Sequence, residues 1–276
     1  MKLRVAAKIN ADLYVFPAQN GYHPIDSIFM SVGLYDEIDV ETAHTPQRDV
    51  EFHGPHAQNI PAHNTVTKAI TALTEYHEKS VPHLKIVIKK NIPQGAGLGG
   101  GSADAAGVLQ ALNQLLELGL STETLATLGS QVGSDVPFFL TGGTARITGR
   151  GEHIQPLAVS AGWVALIKPS SLACSTGRIY QRWDELYAHA PPRLLPDVRP
   201  SFINALYHAV FSLHPEFEPW LLRLKQAGFG KSALTGSGSA FFTLCATQSQ
   251  AEQACALFSG EAFDTWALPL VSGSFA

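Results

Sequence analysis

"NIPQGAGLGGGSADAAGVLQALNQLLELG", residues 91–119, sets five glycines into the eleven positions before Ser102 and then turns at once into an apolar repeat. Ala105, Val108, Leu109, Leu112, Leu115 and Leu116 recur at the three- and four-residue intervals of one helix face, and Gly119 supplies a stop. Just upstream, "HLKIVIKK", residues 83–90, alternates Leu84, Ile86 and Ile88 against Lys85, Val87 and Lys89, the period of a half-buried strand. The unit reads strand, glycine loop, helix. Glycines lose conformational entropy on folding and add no packing, so a run of them needs a reason. The physical one is an anion. Backbone without Cβ wraps closely around phosphate oxygens, and the helix that follows aims free N–H groups and its positive dipole end at them. Ser102, at the expected helix start, either caps the helix or touches a metal-bound phosphate.

Three motifs compete for the loop. Gly95-x-Gly97-x-x-Gly100 spells the dinucleotide fingerprint, but that fold needs a second strand ending in an acidic residue, and here another helix and then "GSDVPFF" follow. A P-loop requires lysine where Gly101 stands, and a nucleophile elbow requires glycine where Asp104 stands. A phosphate cradle of another kind remains.

Outward from the loop, 276 residues with 45% hydrophobic content suit two domains of ordinary size. A net charge of −4 argues against a general nucleic-acid or anionic-membrane surface, so attraction for an anion must be local. Cys174, Cys245 and Cys255 are odd in number and widely spaced, which fits free thiols in a reducing cytoplasm. Lys8 and Asp12 interrupt any apolar signal core near the start, and no uncharged apolar run of about 18 residues suggests a membrane span.

Residues 3–16 and 33–43 have strand character around a turn-rich 17–27, and 62–79 has helical spacing behind Asn64 or Thr65 as cap. A shorter helix is expected from Ser121 to near Gly133, then short strands between glycine turns over 133–152. Strands over 163–169 and 240–246, and helices over 201–227 and 249–258, complete the pattern. His53, His56 and His63, spaced by three and seven with only Glu51 nearby, read as a solvated loop rather than a zinc site.

With "PQGAGLGGGSADAA" in hand, the chain resembles the GHMP small-molecule kinases, whose central motif is P-x-x-x-G-L-x-S-S-x-A. The expanded G-L-G-G-G-S-[SA]-D-A-A resembles the branch that phosphorylates a diphosphocytidyl methylerythritol in the non-mevalonate route to isoprenoid precursors. "AAKIN" (6–10), "NGYHPIDSIF" (20–29), "GSDVPFFLTGGTARITGRGE" (133–152) and "LTGSGSAFF" (234–242) resemble further family segments, in family order. The chain departs at Ala11 and Asp12, where bulky apolar residues are usual, at Asn20 for Asp, and at Thr235 for serine. Residues 184–215 match nothing in the family, and no contact is carried over from them.

The resemblance implies an α+β, two-domain fold with the active site in the cleft between domains 1–155 and 156–276. It implies transfer of the γ-phosphoryl of ATP, with Mg²⁺, to the 2-hydroxyl of the diphosphocytidyl alcohol. Lys8 and Asp135 are its catalytic pair. ATP falls to Pro93, Gly95, Ala96, Gly97, Leu98, Gly99, Gly100, Gly101, Ser102 and Ala103, with Asn64 and Lys90 near the nucleotide and Ser102 as a metal contact. The acceptor falls to Asn10, Tyr22, His23, Thr176, Tyr180, Gly236, Ser237 and Gly238. Tyr22 stacks on the cytosine, a contact of about 1–3 kcal/mol, His23 meets the base edge, and Tyr180 closes the sandwich. The expected partners are small molecules, without nucleic acid or membrane, on a monomer or homodimer. Two other readings stay open. Another alcohol, such as homoserine or mevalonate, would give Tyr22 and His23 no base to hold; a nucleotide-binding module without catalysis would not need Lys8 and Asp135.

Overall fold

The first strand, β1 (Lys2–Val15), is buried without a break from Val5 onward. Such a strand cannot be half-solvated; it must run through the interior between two layers. Ala11 and Asp12, where the family pattern expects bulk, are both fully buried, and Asp12 Oδ1 accepts the Ile203 N–H at 2.9 Å. The missing apolar bulk is thus replaced by a hydrogen-bonded crossing of chain.

The computed structural model describes residues 1–43, 49–77, 82–158, 161–187, 202–260 and 262–276. β2 (Ile25–Thr42) pairs antiparallel with β1 from Val15↔Ile25 to Lys2↔Asp39, with register shifts at Ala6/Ala7 and Asn10/Asp12. It starts inside the segment expected to be turn. β3 (Asp49–His53) precedes α1 (Thr65–His77), and β4 (Leu84–Lys89) lies parallel to β3. The expected end of the first helix, residues 78–79, lies outside the described residues.

After the glycine loop come α2 (Gly100–Leu115), α3 (Thr122–Val132) and α4 (Val136–Thr141), then β5 (Thr144–Gly149) and β6 (His153–Leu157). Among the described residues these strands form one six-stranded sheet, in which β4 and β5 pair with opposite ends of β2. The helices cover it: Val108, Leu109 and Leu112 of α2 are fully buried, worth roughly 1.5–3 kcal/mol each. Two expectations are corrected here. α2 begins at Gly100, two residues before Ser102, with Gly99 as its N-cap. "VPFFLT" is helical, not strand: Pro137 sits in its first turn, where a missing N–H costs nothing, and Phe138 and Phe139 are both buried.

A second layer holds β7 (Trp163–Pro169), α5 (Thr176–Tyr187), α6 (Tyr207–Leu213), α7 (Phe217–Gln226), β8 (Ser232–Leu234), β9 (Phe241–Cys245), α8 (Gln248–Ala256) and β10 (Phe263–Pro269). Its sheet runs β10-β7-β9-β8, all antiparallel. The single helix expected over 201–227 is two, parted at His214–Pro215, where proline cannot continue the hydrogen-bond ladder; residue 201 itself lies outside the described residues. Phe217, Phe241 and Phe258 form an edge-to-face core.

Leu13 and Val15, at the far end of β1, pack into this second core, while Val5 to Ile9 pack into the first. The chain tail also returns, setting Leu270 against Val32 and Phe275 against Val5. No described helix is long and apolar enough to cross a membrane.

Candidate active site

A cleft of 710 Å³ opens between the glycine loop, the middle of β1 and the start of α5. All of the site residues expected from the sequence line it, with two exceptions. Ala103 is turned into the first core, and a Cβ on Gly238 would meet Cys174 rather than the cleft.

Lys8 and Asn10 sit two apart on β1, so strand alternation puts both on one face. Both are nearly fully buried. The Lys8 ammonium donates to Asn10 Oδ1 at 2.6 Å, lies 3.5 Å from Asp135 Oδ2, and rests 4.5 Å above the Phe29 ring. Burial pulls the Lys8 pKa below the ordinary lysine value, and the Asp135 carboxylate pulls it partly back. Asn10 is engaged at both ends of its amide, since its Nδ2 donates to Ser27 Oγ at 3.1 Å. Asp135 is the N-cap residue of α4 but makes no capping bond, so its carboxylate is left for the cleft.

The glycine loop is held from behind. Ala240 N donates to Ala96 O, Ser239 N and Cys174 N both donate to Gly95 O, and Thr235 Oγ1 donates to Gly97 O, each at 3.0–3.1 Å. Thr235 also accepts the Asn10 N–H at 3.0 Å. The threonine that stands where serine is common therefore stitches motif to motif. Gly97 has φ +73°, and a Cβ there would come within 2.0 Å of Thr235 O. Ser102, Gly100 and Gly101 open onto the cleft at the N-terminal end of α2, the polarity that favours phosphate.

Lys90 lines the cleft yet spends its charge below it, bonding both Asp36 and Asp104 in a buried cluster. Asp36 in turn accepts the N–H groups of Asn91 and Ile92, so the cluster ties the interior of β2 and the end of β4 to α2. Burial pushes the Asp104 carboxyl above the usual carboxylate range, against the pull of Lys90. Asn64 caps α1, its Oδ1 accepting from Val66 N and Thr67 N. Both residues expected near the nucleotide thus have structural bonds of their own. Thr65, which sequence reasoning raised only as a cap, bonds Gly101 O at 2.7 Å and joins the two helix starts.

At the other end, Tyr22 is half exposed and carries the Arg150 guanidinium over its ring at 3.6 Å. His23 is oriented by Phe16 O on Nδ1 and by Asp184 on Nε2, and its ring meets Tyr180 at 5.1 Å and Trp183 at 5.4 Å. Burial, with the charge of Asp135 beside it, raises the Tyr180 pKa. Thr176 and Ser237 share a 3.0 Å hydroxyl bond across the cleft wall. Arg150, Asp184 and Trp183 were not picked out in the sequence. Arg150 had a signal there, as the cation inside a glycine turn of a quoted motif.

Models of the GHMP kinases N terminal domain and of the GHMP kinases C terminal match residues 64–143 and 199–259. A 4-diphosphocytidyl-2-C-methyl-D-erythritol kinase of Gloeobacter violaceus is 34% identical over 95% of this chain and 91% of its own length. The chain belongs to the 4-diphosphocytidyl-2-C-methyl-D-erythritol kinase family, within the GHMP kinases. A relative of the same description from Mycolicibacterium gilvum is 37% identical over 88% of this chain and 80% of its own. Among solved structures, a 4-(cytidine 5'-diphospho)-2C-methyl-D-erythritol kinase superposes with TM-score 0.79 at 31% identity, covering 99% of this chain and all of that one. A homoserine kinase from Cytophaga hutchinsonii, at 18% identity, covers 100% of this chain and 96% of that one with TM-score 0.71 and shares the fold. The α+β GHMP kinase fold expected from the sequence is the fold found.

Proposed function

We infer that this chain transfers the γ-phosphoryl of ATP to the 2-hydroxyl of 4-diphosphocytidyl-2-C-methyl-D-erythritol, a step of the non-mevalonate route to isoprenoid precursors. The observation that carries this reading is the position of the Lys8–Asp135 pair: it lies between the glycine loop, which Lys8 touches at Gly99, and a wall of three rings, Tyr22, His23 and Tyr180. A homoserine or mevalonate acceptor would have no use for that wall.

Phosphoryl transfer passes through a loose transition state, so the protein mainly positions groups and stabilises charge. Asn10 fixes the Lys8 ammonium, which neutralises charge on the moving phosphoryl and pairs with the Asp135 carboxylate. Asp135 orients the acceptor hydroxyl and takes its proton late in the transfer. Mg²⁺ enters with the substrate as MgATP. No group of three or more His, Cys, Asp or Glu among the described residues forms a metal site, and Ser102 is the hydroxyl that the loop offers toward such an ion. Free thiols at all three cysteines fit a reducing cytoplasm.

The test is ADP release with 4-diphosphocytidyl-2-C-methyl-D-erythritol, homoserine and mevalonate as acceptors. Turnover only with the first is expected, and Tyr22→Ala should raise its KM about tenfold by loss of stacking. Equal turnover of homoserine or mevalonate, or an unchanged KM in the variant, would point to a different acceptor.

A further inference from the structure

The charged side chains that line the cleft are not equivalent. Lys8 faces Asp135, Lys90 is held by Asp36 and Asp104, and His23 meets Asp184. Arg150 is the cleft cation that has no carboxylate partner among the described residues; the contact its guanidinium makes is with the Tyr22 ring.

Its place is set by backbone. Arg150 follows β5 in a tight turn, where its own N–H donates to Glu152 Oε2 at 2.6 Å and the Gly151 N–H reaches Thr148 O. A Cβ on Gly151 would come within 2.3 Å of Ser134 O, so this turn presses directly on the residue before Asp135. Arg150 therefore stands between the ring wall, at Tyr22, and the phosphoryl-transfer end, at Asp135. In the acceptor inferred above, a diphosphate separates the base from the alcohol that reacts. Two adjacent negative charges there need a cation between those same two ends, and a planar guanidinium meets phosphate oxygens two at a time.

We propose that Arg150 is the specificity residue for the acceptor's diphosphate, held ready for it by stacking on Tyr22. This rests on the acceptor reading given above. The rival role is purely structural, with Arg150 merely bracing the Tyr22 ring.

Binding of cytidine and of cytidine 5'-diphosphate, measured by calorimetry on the whole protein, separates these. The wild type should prefer the diphosphate, and Arg150→Ala should lose about tenfold in that preference while cytidine binds as before; Arg150→Lys, keeping the charge without the fork, should recover part of it. With 4-diphosphocytidyl-2-C-methyl-D-erythritol, Arg150→Ala should raise the acceptor KM and leave the KM for ATP unchanged. Equal weakening of cytidine and diphosphate in Arg150→Ala would mean that Arg150 only braces Tyr22, and an unchanged preference would also overturn the proposal. If the wild type binds neither ligand, the acceptor reading itself fails.

Discussion

At the scale of single residues, the chemistry turns on one buried ammonium. Taking Lys8 out of water disfavours its charged form, and the carboxylate 3.5 Å away only partly compensates. Its folded pKa lies below 10.5, the ordinary lysine value. The charge therefore costs stability at neutral pH, a cost relieved as pH rises through the folded pKa. Activity runs the opposite way, because the transfer needs the ammonium. The alkaline limb of kcat/KM, which reports the free enzyme, should accordingly fall below pH 10.5. In Asp135→Asn, kcat should drop by about 10²–10⁴ through loss of the base. Its residual activity should lose the alkaline limb at still lower pH, since the partner that raises Lys8 is gone. A kcat/KM that stays flat past the ordinary lysine value, or a variant limb that moves upward, would contradict the pairing.

At the scale of elements, the loop works because other segments hold it, and glycine is what lets them approach. Gly97 combines a left-handed φ with a backbone oxygen where its Cβ would be. Gly97→Ala should cost more than 2 kcal/mol, adding about 1 kcal/mol of backbone strain to the displacement of Thr235. Gly177, helical in α5 with open space around its Cβ position, should instead gain about 0.4–1 kcal/mol as alanine. Denaturant melts of the two variants check both signs. The same contrast explains what the sequence disclosed. Strand β4, the loop and α2 were readable because alternation, glycine and helical period each act locally. "VPFFLT" was not, since a short apolar run buried on all sides looks alike as strand or helix. The break at His214–Pro215 was in plain view as a proline inside an otherwise helical run. The engagement of Lys90 was invisible for another reason: its partners Asp36 and Asp104 are set by tertiary contact, and spacing along the chain carries no trace of it. Arg150 stood inside a quoted glycine motif, but its pairing with the distant Tyr22 is likewise set by tertiary contact.

At the scale of the molecule, the cleft needs its two layers fixed relative to each other, and the chain supplies this by continuous bonding rather than by a linker. Leu13 exchanges backbone bonds with Ile203 and Ala205, the glycine loop receives N–H groups from Cys174, Ser239 and Ala240, and the tail after β10 pairs back onto β1 and β2. These bonds run through the catalytic elements themselves, so either layer unfolding alone would strip partners from buried backbone groups of the other, at roughly 1–3 kcal/mol for each group left unpaired. The two layers should therefore unfold together. All four tryptophans, Trp163, Trp183, Trp220 and Trp266, lie in the second half of the chain, so indole fluorescence follows that half, whereas far-ultraviolet circular dichroism follows both. In a urea titration the two signals should give one transition with a common midpoint and slope. A fluorescence transition that separates from the dichroism would mean that the second layer melts on its own. The cleft would then be held by its ligands rather than by the fold.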